Sequence, residues 1–370
     1  MGIYDRDYIR QQPPRGGGAV GRGPVGGLTS LRAWSVNTWL IVICVLVYAL
    51  DGFLPPRLFL METTLAPNVN NLDLKAVERG RPVMIAPHIY EAPLFVTGYP
   101  HVVVAKNRYQ EMRYLQGYLH FSTGRAFLIR KTTSGLLGLE FWRFIGFQFL
   151  HANLTHLLLN MIALYFFGPL VESRLGRKRY LAFYLLCGIF GAIMYLLLNL
   201  GGIAATSAFG QDVRIPGLLF NDVSTPLIGA SAGVFGVLMA GAFIAPNAVV
   251  YLFFVLPMRF ATLAYALVVF ALLSILLGSQ NQGGEAAHLG GAIGGFYFIR
   301  HPQHLHGFFD ILGWADPTSH HYRHKKGGRP APPRAGERAE IDRILDKISD
   351  SGLKSLSEKE KRILREASDR

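Results

Sequence analysis

The sequence predicts an all-α membrane protein, a bundle of six transmembrane helices carrying polar tails. Three observations lead there. Of 370 residues 51% are hydrophobic and only 16% charged, a balance outside the usual soluble range. The apolar residues gather into runs close to the roughly 20 residues that a span requires, near 35–54, 145–169, 180–200, 226–246, 261–278 and 285–300, the last being short and rich in glycine. The basic residues flank those runs: Arg6, Arg10, Arg15, Arg22 and Arg32 precede the first, and Arg174, Arg177, Lys178 and Arg179 follow the second. A net charge of +13 without one basic, aromatic-laced face excludes nucleic acid as a partner. It reports topology instead. The tail after Arg300 is basic and only Arg214 lies between the third and fourth runs, so the positive-inside rule puts both termini in the cytoplasm.

Residues 1–33 carry "RGGGAVGRGPVGG", too poor in apolar side chains to fold, and read as a disordered cytoplasmic tail. Residues 34–54 form the first transmembrane helix, a retained anchor, because its apolar stretch is long and no small-x-small cleavage site follows. Residues 55–140 form a long outer loop or insertion. Its apolar pieces are cut by proline and glycine and are too short to span, so short strands or membrane-surface pieces are expected. Residues 141–300 hold the other five spans. Cys44 and Cys187 both fall inside apolar runs, which leaves no disulfide framework.

Residues 301–337 are a basic linker with histidines and prolines. Half of the twelve histidines lie in 301–324, but no second ligand block with zinc spacing accompanies them, and no metal site is assigned. Residues 338–370 change character: Ile341, Ile344, Leu345 and Ile348 follow helical spacing, Gly352 is placed to end that helix, and Ser357 with Glu360 makes a capping box for a second. A cytoplasmic helical hairpin of this size buries too little to fold alone. It is expected to dock on the cytoplasmic face or on a cytoplasmic partner.

Polar groups inside spans are costly and need a reason. Three islands stand out: "HANLTHLLLNM" in the second span, "IGASAGVFGV" in the fourth, and "GGEAAHLGGAIGGF" at the start of the sixth. With cytoplasmic termini these three spans run from outside to inside, so the islands share the outer leaflet. Ser231 lies about five residues and His288 about three into their spans, which at ~1.5 Å per residue sets both roughly 5–8 Å below the boundary. His288, Gly291, Ala292 and Gly295 share one helical face, while Gly229, Gly233, Gly236 and Ala240 form a second strip from which Ser231 points away. Small residues let such helices approach closely. His156 and Asn160 are one turn apart on a shared face, and His151 points elsewhere.

These are parts of a serine hydrolase: Ser231 as nucleophile, His288 as its base, and the Ser231 amide, His156 and Asn160 as donors to an oxyanion. Glu285 is the only carboxylate between serine and histidine. The order Ser, acid, His of soluble hydrolases with G-x-S-x-G is therefore set aside, and a dyad is read. Such chemistry calls for no cofactor. Taken singly, each island has a blander reading: Ser231 as packing filler, His288 as a buried histidine on a carbonyl, and His156 with Asn160 as an interhelical clasp.

Five motifs in order over 140–300 make the chain resemble the rhomboid family of intramembrane serine proteases: "EFWRF" (Glu140, Trp142, Arg143), "HANLTHLLLN" (His151, His156, Asn160), "GPLVESRLG" (Glu172), "GASAGVFG" (Ser231) and "AHLGGAIGG" (His288). The resemblance implies a six-helix rhomboid-like bundle, a Ser231–His288 dyad, and an oxyanion site from His156, Asn160 and backbone. It implies transmembrane protein substrates, cut near the outer face of the lipid bilayer, usually after a small residue. It also implies a loop half-embedded in the outer leaflet around Trp142 and Arg143, lateral access near the second and fifth spans, and a bacterial cytoplasmic (inner) membrane location. The tail hairpin is similar to tails on some bacterial members. Arg143 and Glu172 are assigned to structure, where charge meets headgroups. Two departures are visible: Ala232 replaces the usual glycine after the serine, and the 55–140 segment is longer than the family's first loop. A catalytically silent rhomboid-like protein that binds membrane helices is the alternative, disfavoured because Ser231 and His288 are both kept. A transporter lacks support, since no paired inverted repeat is visible.

Overall fold

In the computed structural model the apolar runs become helices, and the segment between the first two becomes something else. The structure describes residues 34–67, 69, 77–132, 135–210, 212–252, 255–305, 307–308, 335–352 and 355–368. The tail read as disordered (1–33) and most of the 301–337 linker lie outside the described residues. The chain divides into two compact units, one of residues 1–177 with 223–230 and one of 178–222 with 231–370.

The first unit opens with α1, Val36–Phe53, whose start is set by Ser35: its hydroxyl accepts the Thr38 amide proton, as an N-cap should. Five antiparallel strands follow: β1 Arg57–Leu65, β2 Val77–Arg79, β3 Val83–Ala86, β4 Ile89–Val96 and β5 Tyr99–Met112. They lie in the order β1-β5-β4-β2, with β3 also paired to β4. The all-α expectation therefore fails over 57–112, where the alternative of short strands is realised. The physical reason is the period. On β5 the buried positions Ala105, Asn107 and Tyr109 recur at every second residue, which a strand buries and a helix cannot. Gly98, at φ +82°, makes the β4–β5 turn.

Two short helices, α2 Tyr114–Leu119 and α3 Thr123–Ala126, and a small hairpin of β6 Arg130–Thr132 with β7 Gly135–Leu137 lead to α4, Arg143–Gly146, and then to α5, Leu154–Leu175. The span expected to start at 145 thus starts at Leu154, because the Asn153 side chain accepts the His156 amide and caps the helix there. Glu172, expected among headgroups, is instead buried and accepts the amides of Val36 (2.8 Å) and Asn37 (3.0 Å). It caps α1 with a negative charge at the positive end of that helix.

The second unit contains α6 Arg177–Phe209 (from Lys178 on), α7 Ser231–Ile244, a hairpin of β8 Val249–Leu252 with β9 Leu256–Arg259, α8 Phe260–Leu276, α9 Gln282–Arg300, and the tail helices α10 Ala335–Ser351 and α11 Glu358–Ser368. The β8–β9 hairpin has no counterpart in the sequence reading. Among the described residues, α1, α5 and α6 are long and apolar enough to cross a membrane, and α7 and α8 are shorter apolar helices. Glycine sets the packing. A methyl on Gly291 would strike the Ala232 carbonyl, and one on Gly295 would strike the Gly236 backbone, so α7 and α9 touch main chain to main chain. Gly233 takes the Tyr184 ring and Gly191 faces the Ala287 carbonyl, which brings α6 to the same seam.

The tail is helical over α10 and α11. Gly352, at φ +75°, gives its N–H to Ile348 O at 2.9 Å, and the Ser357 amide donates to Glu360 Oε2 at 2.8 Å. The Glu360 amide returns a bond to Ser357 Oγ at 3.3 Å, completing the capping box.

Candidate active site

Ser231 is the first residue of α7, five residues nearer the helix start than the run beginning at 226 suggested. Gly229 causes this: at φ +138° it holds a conformation that L side chains rarely adopt, and the helix cannot extend back through it. The hydroxyl consequently sits at the positive end of a helix dipole, where developing negative charge is favoured.

His288 lies on the second turn of α9, and its Nε2 is 2.8 Å from Ser231 Oγ. Its ring stacks on Phe235 with centroids 4.2 Å apart and planes 7° from parallel. Phe235 follows Ser231 by one turn of α7, so one helix supplies both the hydroxyl and the platform that fixes the imidazole plane. The other ring nitrogen is engaged as well: Nδ1 is 3.0 Å from Glu285 Oε2. Side-chain exposures of 15% for His288 and 11% for Glu285 leave the pair shielded yet reachable by solvent. Glu285 is the residue that the dyad reading omitted. Its signal was present, since positions three apart on a helix face each other.

Ala232 is almost fully buried, and the added methyl is accommodated because Gly191 opposite it has none. His156 and Asn160 lie on α5 in the first unit, Asn160 Nδ2 donating to His156 O at 2.7 Å. His151, expected to point elsewhere, packs its ring edge-on against His156 with centroids 5.2 Å apart. Within the same unit Arg143 is 2% exposed: Nη1 donates to His120 O (2.7 Å), Nη2 to Gly117 O (3.1 Å), and Nε to Glu140 Oε2 (2.7 Å). Its work is structural. Trp142 Nε1 donates to Tyr118 O at 3.1 Å while its ring stays exposed.

Comparison with known proteins places residues 138–301 in the family described as Rhomboid domain, and residues 333–370 in a family of unknown function (DUF6576). The chain is 37% identical over 145 residues to RHOMBOID-like protein 12, mitochondrial, of Arabidopsis thaliana, covering 39% of this chain and 41% of that one. It is 31% identical over 164 residues to rhomboid protease AarA of Providencia stuartii, covering 42% and 53%. It is 30% identical over 168 residues to the rhomboid YdcA of Bacillus subtilis, covering 44% and 67%. The chain thus spans about half the length of the first two relatives. No solved structure matches it.

Proposed function

The chain belongs to the rhomboid family, and on that premise we propose that it is an intramembrane serine endopeptidase cutting transmembrane protein substrates near the outer face of the bilayer. The observation that carries this reading is the 2.8 Å approach of His288 Nε2 to Ser231 Oγ, within reach for a direct proton transfer. Ser231 Oγ attacks the scissile carbonyl carbon as its proton passes to Nε2. The carbon–oxygen bond forms and the carbonyl oxygen takes the negative charge. Collapse breaks the carbon–nitrogen bond, the imidazolium returns the proton to the leaving amine, and water then hydrolyses the ester by the same steps. From the family resemblance, the Ser231 amide and the side chains of His156 and Asn160 are the oxyanion donors. All six apolar helices cross the membrane, both termini are cytoplasmic, the membrane is a bacterial inner membrane, and the tail hairpin meets a cytoplasmic partner.

A fluorophosphonate probe is expected to label the purified protein covalently, and Ser231→Ala to abolish both labelling and processing of a single-span substrate. Wild-type processing by Ser231→Ala would overturn the protease reading in favour of the silent one. Asn160→Ala should lower the rate by about 10²-fold, the size of losing one oxyanion donor in a soluble protease.

A further inference from the structure

We propose that Glu285 is a positioning residue for His288, completing a Ser231–His288–Glu285 relay in which the carboxylate selects the productive tautomer of the imidazole. This rests on the protease reading above. A neutral imidazole carries its proton on either nitrogen, and only the form protonated at Nδ1 presents a lone pair at Nε2 to take the serine proton. The two ring nitrogens have different neighbours here: Glu285 Oε2 at 3.0 Å from Nδ1 and Ser231 Oγ at 2.8 Å from Nε2. A carboxylate accepts and does not donate, so it holds the proton on Nδ1. Phe235, stacked at 4.2 Å and 7°, confines the ring to one plane, and the remaining freedom is a half-turn flip that would put Cδ2 and Cε1 where Nδ1 and Nε2 stand. Glu285 opposes that flip. When Nε2 takes the serine proton, the resulting cation lies against an anion that is only 11% exposed, where screening by water is partial.

Both partners lie on α9, three residues apart, so the pairing depends on the helix alone and is in place before substrate arrives. Glu285 also stands in the first turn of α9, where any carboxylate favours the helix start. That purely structural role would alter stability and leave the reactivity of Ser231 unchanged, which separates the two roles experimentally.

The test uses the full chain in detergent or proteoliposomes, with three readouts: the fluorophosphonate labelling rate, the kcat and KM for a single-span substrate, and the unfolding midpoint. Glu285→Gln keeps the size of the side chain but replaces the obligate acceptor with a carboxamide whose N–H can donate to Nδ1. It is expected to lower kcat and the labelling rate by about 10²-fold with KM little changed, less than the ~10⁴-fold loss in a fully buried soluble triad because solvent screens this pair in part. Glu285→Asp keeps the charge and should recover about tenfold of that loss. Rates for Glu285→Gln close to wild type, or a Glu285→Asp no better than Glu285→Gln, would overturn the proposal while leaving the protease reading intact. A wild-type protein that the probe does not label would fell that reading first, since its test is the separate Ser231→Ala pair.

Discussion

The α7–α9 seam and the cluster of Gly117, His120 and Arg143 in the 117–143 segment are both buried, yet they are held by opposite means. At the seam, side chains are missing: Gly291 and Gly295 let backbone meet backbone against Ala232 and Gly236. In the 117–143 segment a large charged side chain fills the space. Arg143 spends its donors on Gly117, His120 and Glu140, while Arg125 reaches Leu60 O at 2.6 Å and Glu140 Oε1 at 3.3 Å. The first arrangement fails when volume is added, and the second fails when a partner is removed. Each therefore predicts a different class of damaging substitution.

The largest effect is expected at Arg143. Replacing it with alanine removes the donors to the carbonyls of Gly117 and His120 and leaves Glu140 with Arg125 alone, and should cost about 3–5 kcal/mol in the unfolding free energy. A loss below about 1 kcal/mol in micelle-based unfolding would break the contrast. Gly291→Ala comes next. Its methyl meets the Ala232 carbonyl, a backbone atom that cannot swing aside, and overpacking of this kind costs about 1–3 kcal/mol. The shift also moves the helix that bears His288, so activity should fall by up to about 10²-fold, the penalty for displacing a reacting group by about 1 Å. Gly291→Ala with wild-type rate and stability would show that the seam has slack.

Acid separates the regions again. His120 is fully buried, its Nδ1–H donating to Gln116 O at 2.7 Å, and burial, reinforced by the Arg143 charge, pushes its pKa from 6.5 down to about 3. The folded state keeps this imidazole neutral while the unfolded chain protonates it below about 6.5. Stability is therefore unaffected above that pH and falls as pH drops from 6.5 toward 3, by about 2 kcal/mol at pH 5. Between Gly291 and Gly295 the seam is glycine against backbone, and the imidazole and carboxylate of the site stand nearer the start of α9. His120→Gln should remove about 2 kcal/mol of the difference in unfolding free energy between pH 7 and pH 5; an equal drop in that variant would assign the acid sensitivity elsewhere.

What sequence alone reveals follows the same division. Glycines recurring on one face of an apolar run have few meanings, so the seam, with Ser231 and His288 on it, was readable before any coordinates. The tail hairpin was readable because its signals are local: Gly352, Ser357 and Glu360 each act within one turn. The sheet was harder. Asn107 interrupts the apolar alternation of β5, and its burial makes sense only once Thr63 Oγ1 is seen donating to its Oδ1 at 2.7 Å from another strand and Tyr109 OH accepting from its Nδ2 at 2.9 Å. Arg143 was legible as structural but not in its partners, which lie more than twenty residues upstream apart from Glu140. Helix starts differ from the sequence expectation where the helix begins inside an apolar run, at the Asn153 cap and after Gly229 at positive φ. Glu285 is named in the sequence as the only carboxylate between Ser231 and His288 and then set aside for a dyad, although it stands within reach of His288 along one helix.

The smallest effect is expected at Lys106, and it sharpens the contrast because it isolates burial from charge. Lys106 Nζ lies 2.7 Å from Glu91 Oε1, nearer than the Arg125–Glu140 pair at 3.3 Å, but with side-chain exposures of 57% and 31% against 8% and 14%. Distance alone would rank the β4–β5 pair higher. Exposed pairs are screened by water and salt and must hold two flexible side chains in one geometry, which leaves about 0–1 kcal/mol. Lys106→Gln should therefore change the unfolding free energy by no more than that, with the difference vanishing as salt is raised, whereas the Arg143→Ala loss should persist at high salt. If Lys106→Gln were as damaging as Arg143→Ala, the strength of the 117–143 segment would have to come from charge count and not from the satisfaction of buried donors and acceptors.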